Sequence, residues 1–351
     1  MKTNIQPREG DVVGRRRAVA RLLQAFSMFR RSRFDGKVQS IAIIMAGRYG
    51  DAILLTKLLR QLKAAAPEVS LHLIVSRKTN SVFFKASPYV ASVFCLKSGL
   101  WAWLKLLLFT RFDVLFNPKD SPSNSNLILS TILRARIKVS HNHELHEGIF
   151  DRLIDVDYYS HETAHNAGLL DVLGLNIPYG AEIRPELPHY PVGSEVEQFA
   201  REISGRGYAG INVSAGNASR YWTREKWLEL ARMFPEERFI VFSAPGDLEE
   251  KKLLETSLGN VIASPETANL GEVGAIVRHL RILVTPDTSL VHIAACFDTP
   301  VIAFFPDTLL SMKRYAPLSS KSEIVASCSK QVSDIETDSV AAAFRRVRVL
   351  L

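Results

Sequence analysis

The sequence predicts an α/β protein in two halves, each a parallel sheet with helices on both faces. Short apolar runs alternate with helix-length segments along the chain, the pattern that feeds parallel strands. Three times an apolar run ends in a turn of small residues and resumes as a helical pattern, within residues 40–56, 211–223 and 281–295. A stretch of little periodicity holding four prolines, Ile177 to Val192, divides the 351 residues into halves that can each bury a core.

In the first half, Ser40–Ala46 reads as a strand and Asp51–Ala65 as a helix with Ile53, Leu54, Leu58 and Leu62 on one face. Leu71–Val75 is the next strand. Leu100–Phe109 is a very apolar helix whose Trp101, Trp103 and Leu104 to Leu108 could touch membrane; because the stretch is too short to span a bilayer and is set between sheet elements, they are expected to be buried instead. Asp113–Asn117 is a strand, Pro118–Asn126 a polar loop, and Thr163–Leu173 a helix ended by Gly174.

The second half repeats the pattern. Gly210–Ser214, Phe239–Ser243, Val261–Ala263, Ile282–Thr285 and Val301–Phe305 read as strands. Thr223–Met233, a segment from the Ala244–Asp247 turn to Leu258, Leu270–Leu280 and a final basic segment, Ser339–Leu351, read as helices. In such sheets, sites lie beyond the C-terminal strand ends. All three motif turns occupy such ends.

A hydrophobic share of 47% with 23% charged residues describes a soluble globular protein. Three widely spaced cysteines, Cys95, Cys296 and Cys328, argue against a disulfide framework and fit a reducing cytoplasm. No apolar run spans a bilayer, and residues 1–30 lack the apolar core of a signal peptide. The expected location is therefore cytoplasmic, with a peripheral place on the inner membrane's cytoplasmic face left open.

The net charge of +8 is unevenly placed. Arg15, Arg16, Arg17, Arg21, Arg30, Arg31, Arg33 and Lys37 face the single acid Asp35, with Val19, Leu22, Leu23, Phe26 and Phe29 at helical spacing. Residues 14–37 thus form a basic amphipathic helix. Two readings fit: contact with an anionic membrane, or packing on the first domain with a solvated basic face. Nucleic acid is not the expected partner, because the arm has a one-sided apolar stripe and no nucleic-acid fold signature appears.

The three turns carry the chemistry. The first is Ala46-Gly47-Arg48-Tyr49-Gly50-Asp51, the second Ser214-Ala215-Gly216-Asn217 leading to Arg220-Tyr221-Trp222, the third Pro286-Asp287-Thr288-Ser289-Leu290 leading to His292. Helix starts such as the third offer N–H groups and a dipole to a phosphate, although Asp287 or Thr288 can equally be a plain helix cap. In order, from Ser40 to the C-terminus, the set resembles glycosyltransferase family 9, the ADP-heptose:lipopolysaccharide heptosyltransferases and their relatives. The resemblance implies a GT-B fold, two Rossmann-like domains facing across a cleft, and an inverting transferase that uses a nucleotide-activated sugar without metal or other cofactor. It leaves out the basic arm over residues 1–39 and implies an acceptor domain over 40–185 and a donor domain over 186–351, with the last helix able to pack back on the first domain.

The same resemblance implies roles. Asp51 matches the catalytic base, with a helix cap as its other reading. Arg220 stands where close heptosyltransferases carry lysine near the donor phosphate, a change that keeps charge and alters geometry. Asp287, Thr288, Ser289, Leu290 and His292 match the turn that seats the diphosphate, with Ser289 in place of the usual glycine. A serine serves there if its φ is negative. Ser214, Ala215 and Gly216 border the diphosphate, and Asp247 is placed to accept from the nucleotide ribose. Arg48, Tyr49, Lys119, Asp120 and Ser121 are candidates for the acceptor, a lipid-linked or lipopolysaccharide-core glycan.

Other patterns compete. His161-Glu162-Thr163-Ala164-His165 matches the HExxH of zinc hydrolases, with Glu182 as the near candidate for a third ligand. We read these histidines as helix-start and surface residues. Asp155-Val156-Asp157 resembles a metal-binding DxD, but Ile154, Val156 and Tyr158 alternate with polar residues as in a half-exposed strand. The first turn is not a dinucleotide fingerprint, since it lacks the GxGxxG order and no acid closes the second strand. A non-catalytic nucleotide-sugar or membrane-surface module of the same fold remains a further alternative.

Overall fold

A computed structural model describes residues 9–27, 36–177 and 183–349. They form two six-stranded parallel sheets in two compact units. The first unit takes the described residues up to Arg48 and from Leu58 to 177; the second takes Tyr49–Lys57 and everything from Ile183.

The first sheet has the strand order β3-β2-β1-β4-β5-β6. Its strands are β1 (Ser40–Met45), β2 (Ser70–Val75), β3 (Val90–Cys95), β4 (Phe112–Asn117), β5 (Ala135–His141) and β6 (Arg152–Ile154). Central β1 is buried along nearly its whole length, as a strand covered on both faces must be. Ile43 pairs with Leu73 on one side and Phe116 on the other. The sequence reading lacked β3, β5 and β6. Val90–Cys95 is largely half-exposed and Ala135–His141 carries Arg136 and Lys138, so neither shows a continuous apolar run.

The helices of this unit are α1 (Glu9–Ser27), α3 (Lys78–Lys85), α4 (Leu100–Leu104), α5 (Asn124–Ile132) and α6 (Glu162–Leu173). Helix α2 (Tyr49–Ala65) follows β1, and its first turns group with the second unit. Ser123 caps α5 by accepting from the Asn126 N–H, and Gly174, at φ 64°, ends α6 in the left-handed conformation that favours glycine.

Helix α1 packs on the first unit. Ala20 is fully buried with Leu127, Ile149 and Phe150; Gln24 donates to the Glu147 carbonyl and Arg17 lies 3.3 Å from Glu144. Leu22 and Phe26 point outward. Phe29, Arg30, Arg31, Arg33 and Asp35 of the predicted arm lie outside the described residues.

Two local expectations fail. The apolar segment after Gly99 forms α4 and then a π-helical turn, Lys105–Phe109, and only one stripe is buried. Leu106 joins the core with Trp103 and Leu107 against it, whereas Trp101, Leu108 and Phe109 are 83%, 56% and 82% exposed. A helix lying on a sheet hides one face only, so total apolarity of the segment does not bury all of it. The Asp155–Asp157 stretch is not strand. β6 stops at Ile154, and the Asp157 carboxylate accepts from the Tyr159 N–H at 2.7 Å to close a turn.

The second sheet has the order β12-β11-β10-β7-β8-β9: β7 (Ala209–Asn212), β8 (Phe239–Phe242), β9 (Val261–Ile262), β10 (Ile282–Pro286), β11 (Val301–Phe305) and β12 (Ser322–Ala326). Its helices are α7 (Ser194–Ile203), α8 (Arg224–Met233), α9 (Leu248–Ser257), α10 (Leu270–Val277), α11 (Ser289–Phe297), α12 (Leu309–Arg314) and α13 (Thr337–Val349). Thr223 caps α8 by accepting from the Lys226 N–H. Trp222, Trp227 and Phe304 pack ring on ring, and the Trp222 indole donates to the Ile335 carbonyl at 2.9 Å. The final helix, read as able to pack back on the first domain, lies in the second unit's own core through Val340, Ala341, Ala343, Phe344 and Val347.

Gly210 in β7 has no room for a side chain. A Cβ there would stand 2.5 Å from Leu280 Cδ1 and 2.9 Å from Phe242 Cε2. Gly210→Ala should therefore lower stability by about 1–3 kcal/mol through overpacking, read as a lower urea midpoint.

Candidate functional site

The turns after β7 and β10 are joined by a buried amide. Asn212, the last residue of β7, shares its Nδ2 donors among Thr285 Oγ1 (2.9 Å), Thr288 Oγ1 (3.2 Å) and the Ser214 carbonyl (3.1 Å), while its Oδ1 accepts from the Ser214 N–H. A buried amide without partners would be costly, so these bonds tie both turns to one geometry. Thr288 also caps α11 by accepting from the Leu290 N–H, leaving the start of that helix at the turn.

Asp287 and Arg220 form the electrostatic centre. Arg220 Nη1 lies 2.9 Å from Asp287 Oδ2 and donates to the Asp287 carbonyl at 3.0 Å. The Asp287 side chain is only 7% exposed. Burial pushes its carboxyl up to about 6; Arg220 opposes the rise and the neighbouring charge of Asp51 adds to it. Asp287 and Asp51 therefore sense one another within the second unit's residues.

Asp51 is the third residue of α2, partly buried, with Tyr315 Oη donating to its Oδ1 at a long 3.5 Å. His292, 3% exposed, lies one turn into α11 with its ring 6.3 Å from that of Tyr315. Gly50 permits the close approach, since a Cβ there would come 3.1 Å from His292 Cδ2. Beside the β7 turn, Asp247 Oδ2 accepts from Ser214 Oγ at 2.5 Å and Tyr221 Oη at 3.1 Å. The Ala244 N–H donates to Ser214 Oγ. Burial raises the Tyr221 phenol; the Ala215 N–H lowers it, and Asp247 raises it further.

Tyr49, Asp51, Ser214, Ala215, Gly216, Arg220, Asp247, Asp287, Thr288, Ser289, Leu290 and His292 all belong to the second unit. Ser289 opens α11. Asp298 is the one non-glycine with positive φ among the described residues, so Ser289 meets the condition its substitution for glycine imposes. Arg48, Lys119, Asp120 and Ser121 belong to the first unit, at the C-terminal ends of the adjacent strands β1 and β4. There Arg48, Lys119 and Ser121 are exposed, and the Ser121 N–H donates to Asp120 Oδ1.

Sequence reasoning missed Asn212, Tyr221 and Tyr315 as parts of this arrangement. The only available signal was position, a polar residue closing an apolar strand at Asn212 and a tyrosine beside Arg220.

The HExxH stretch does not offer two imidazoles on one helix face. His161 precedes α6 as its cap, its ring accepting from the Thr163 N–H. His165 is not at the surface as read; it is 2% exposed, its ring 5.1 Å from that of His141. Glu182 lies outside the described residues. Among the described residues, no three His, Cys, Asp or Glu side chains gather as a metal site.

Residues 106–342 match glycosyltransferase family 9 (heptosyltransferase), two thirds of the chain. The chain belongs to glycosyltransferase family 9. This family 9 transferase is 21% identical to lipopolysaccharide heptosyltransferase 3 of Escherichia coli over 284 residues, covering 74% of the chain and 81% of the relative. Its fold is similar to that of a family 9 protein from Veillonella parvula, with TM-score 0.69 and 17% identity over 89% of this chain and 98% of that one. It is also similar to that of the E. coli heptosyltransferase WaaC solved with ADP, with TM-score 0.68 and 15% identity over 88% and 100%. The fold is α/β, GT-B, as the motifs implied, and the protein is a heptosyltransferase-like glycosyltransferase.

Asp287 has a pH signature. Its folded value, about 6, lies above the ordinary 3.8, so the folded state holds the proton longer than the unfolded chain. The resulting penalty is absent below the ordinary value, grows as pH rises toward 6 and is constant above it. Relative to Asp287→Asn, wild type should lose about 3 kcal/mol across that window and none beyond, by urea unfolding from pH 3.5 to 8.

Proposed function

We propose that this transferase moves heptose from ADP-heptose onto a lipopolysaccharide-core or related lipid-linked glycan, with inversion and without a metal. The observation that carries the reading is the meeting of Asp51, Asp287, Arg220 and the start of α11 in one electrostatic group. WaaC, solved with ADP, and E. coli heptosyltransferase 3 support the nucleotide and the sugar.

Inversion requires one direct displacement at the anomeric carbon. Asp51 takes the proton from the acceptor hydroxyl as that oxygen attacks. The leaving diphosphate gathers negative charge as the bond breaks, and the N–H groups at Ser289 and Leu290, with the dipole of α11, receive it. Arg220 adds cationic stabilisation through its forked donors, and its grip on Asp287 holds the turn meanwhile. These donors fill the place a metal would take on the phosphates. Ser214, Ala215 and Gly216 border the diphosphate, Asp247 accepts from the ribose hydroxyls, and His292 with Thr288 supports the turn. Arg48, Tyr49, Lys119, Asp120 and Ser121 hold the anionic acceptor. The setting is the cytoplasmic surface of an anionic membrane, met by basic residues within 14–37.

A thermal-shift series with ADP-, UDP-, GDP- and CDP-linked sugars tests the donor. ADP-heptose should raise the melting temperature of wild type and do so less in Arg220→Ala. No shift with any of them overturns the donor reading. Asp51→Ala should keep the shift and lose about 10²–10⁴-fold in turnover, measured by product formation; turnover close to wild type would remove Asp51 as the base. Turnover should persist in excess EDTA.

A further inference from the structure

One helix layer of the first unit, which takes in α1 of the basic arm, has the makeup of a surface that enters a bilayer. On the sheet, α5 packs with the α4 segment through Leu129, Leu133 and Leu106; on its other side Leu127 meets Ala20 of α1. These three neighbours leave large apolar groups outward: Leu22 (73% exposed) and Phe26 on α1, and Trp101, Leu108 and Phe109 on α4 and its π turn. Ile128 and Ile132 of α5 are partly exposed and wall an apolar groove of about 330 Å³ that also has Trp103, Leu96 and Ile44 in its lining. Scattered apolar side chains are ordinary on a surface; a continuous set over adjoining helices marks an interaction face.

The charge on this layer identifies the occupant. Arg15, Arg16, Arg21, Lys97, Lys105, Arg111 and Arg134 are exposed on or beside it. From residue 97 to 112, and again along α5 to Arg134, the sequence holds no acid. Asp113 is mostly buried and lies 3.4 Å from Arg136. Trp101 and Lys105, followed by Leu108 and Phe109, repeat at helical spacing, so aromatic and aliphatic groups share a stripe with a cation whose stem can lie along it. We propose that the outer face of α1, α5 and the α4 segment docks on an anionic bilayer, with Trp101 and Phe109 inserted at the headgroup level and the flanking arginines and lysines on lipid phosphates. This rests on the membrane setting proposed above and is independent of the donor and acceptor.

The test is flotation of the full chain with vesicles of phosphatidylethanolamine and phosphatidylglycerol, or of phosphatidylcholine alone. Trp101→Ala/Phe109→Ala should fold normally, because both side chains are more than four-fifths exposed. It should bind anionic vesicles at least about tenfold more weakly than wild type. Lys105→Gln and Arg111→Gln should each cost about fivefold on anionic vesicles. Wild-type tryptophan fluorescence should shift to the blue on binding and be quenched by brominated lipid; Trp222 and Trp227 are buried in the second unit, so a quenched signal reports the first. Undiminished binding by the double variant overturns the proposal and leaves the basic arm as sole anchor. Equal binding to phosphatidylcholine overturns the charge argument. A concentration-dependent dimer abolished by the double variant overturns it in favour of a second copy on this face. The vesicles carry no sugar, and the ADP-heptose thermal shift reports the donor site separately, so the two readings fail independently.

Discussion

The Arg220–Asp287 ion pair, with the Asn212 amide beside it, is the constraint on which the second unit's site depends. Burying a carboxylate costs several kcal/mol unless a cation and hydrogen bonds answer it. Arg220 answers it twice, at the carboxylate and at the carbonyl of the same residue, and so binds the turn after β7 to the turn after β10. Asn212 makes the same connection one layer deeper through Thr285 and Thr288. The start of α11 is thereby held in one geometry.

The pair also explains how two acids coexist at close range. Asp287 is pushed up by burial and by the charge of Asp51, against the opposing pull of Arg220. Tyr315, just past α12, reaches Asp51; the His292 ring of α11 lies 6.3 Å from that tyrosine, and Gly50 leaves the space that His292 occupies. Ser214, Tyr221 and Asp247 form a second polar knot beside it that fixes the β7 turn from the outside.

Much of this architecture is legible in the sequence. Continuous apolar runs such as Ile41–Met45 and Val301–Phe305 announce buried parallel strands, because both of their faces are covered. Thr223, Gly174 and the three small-residue turns announced helix ends for reasons of local hydrogen bonding and φ. Strands β3 and β5 escaped, because their half-exposed or charged positions resemble loop. Tyr315 escaped as well: more than 260 residues separate it from Asp51, and no local pattern records such a contact.

The sequence by itself determined the alternation of strands and helices and the placing of the motif turns at strand ends. These follow from periodicity and turn chemistry, which act over a few residues; the family is legible separately, through the resemblance those turns carry. Only the tertiary structure decided which polar groups meet. Arg220 and Asp287 are 67 residues apart, and their pairing exists because β7 and β10 lie side by side in the sheet. The structure also decided which apolar groups are hidden. Leu106 and Phe109 look alike in sequence, yet one lies in the core and the other projects from it, because a helix resting on a sheet buries one stripe and leaves the rest outside.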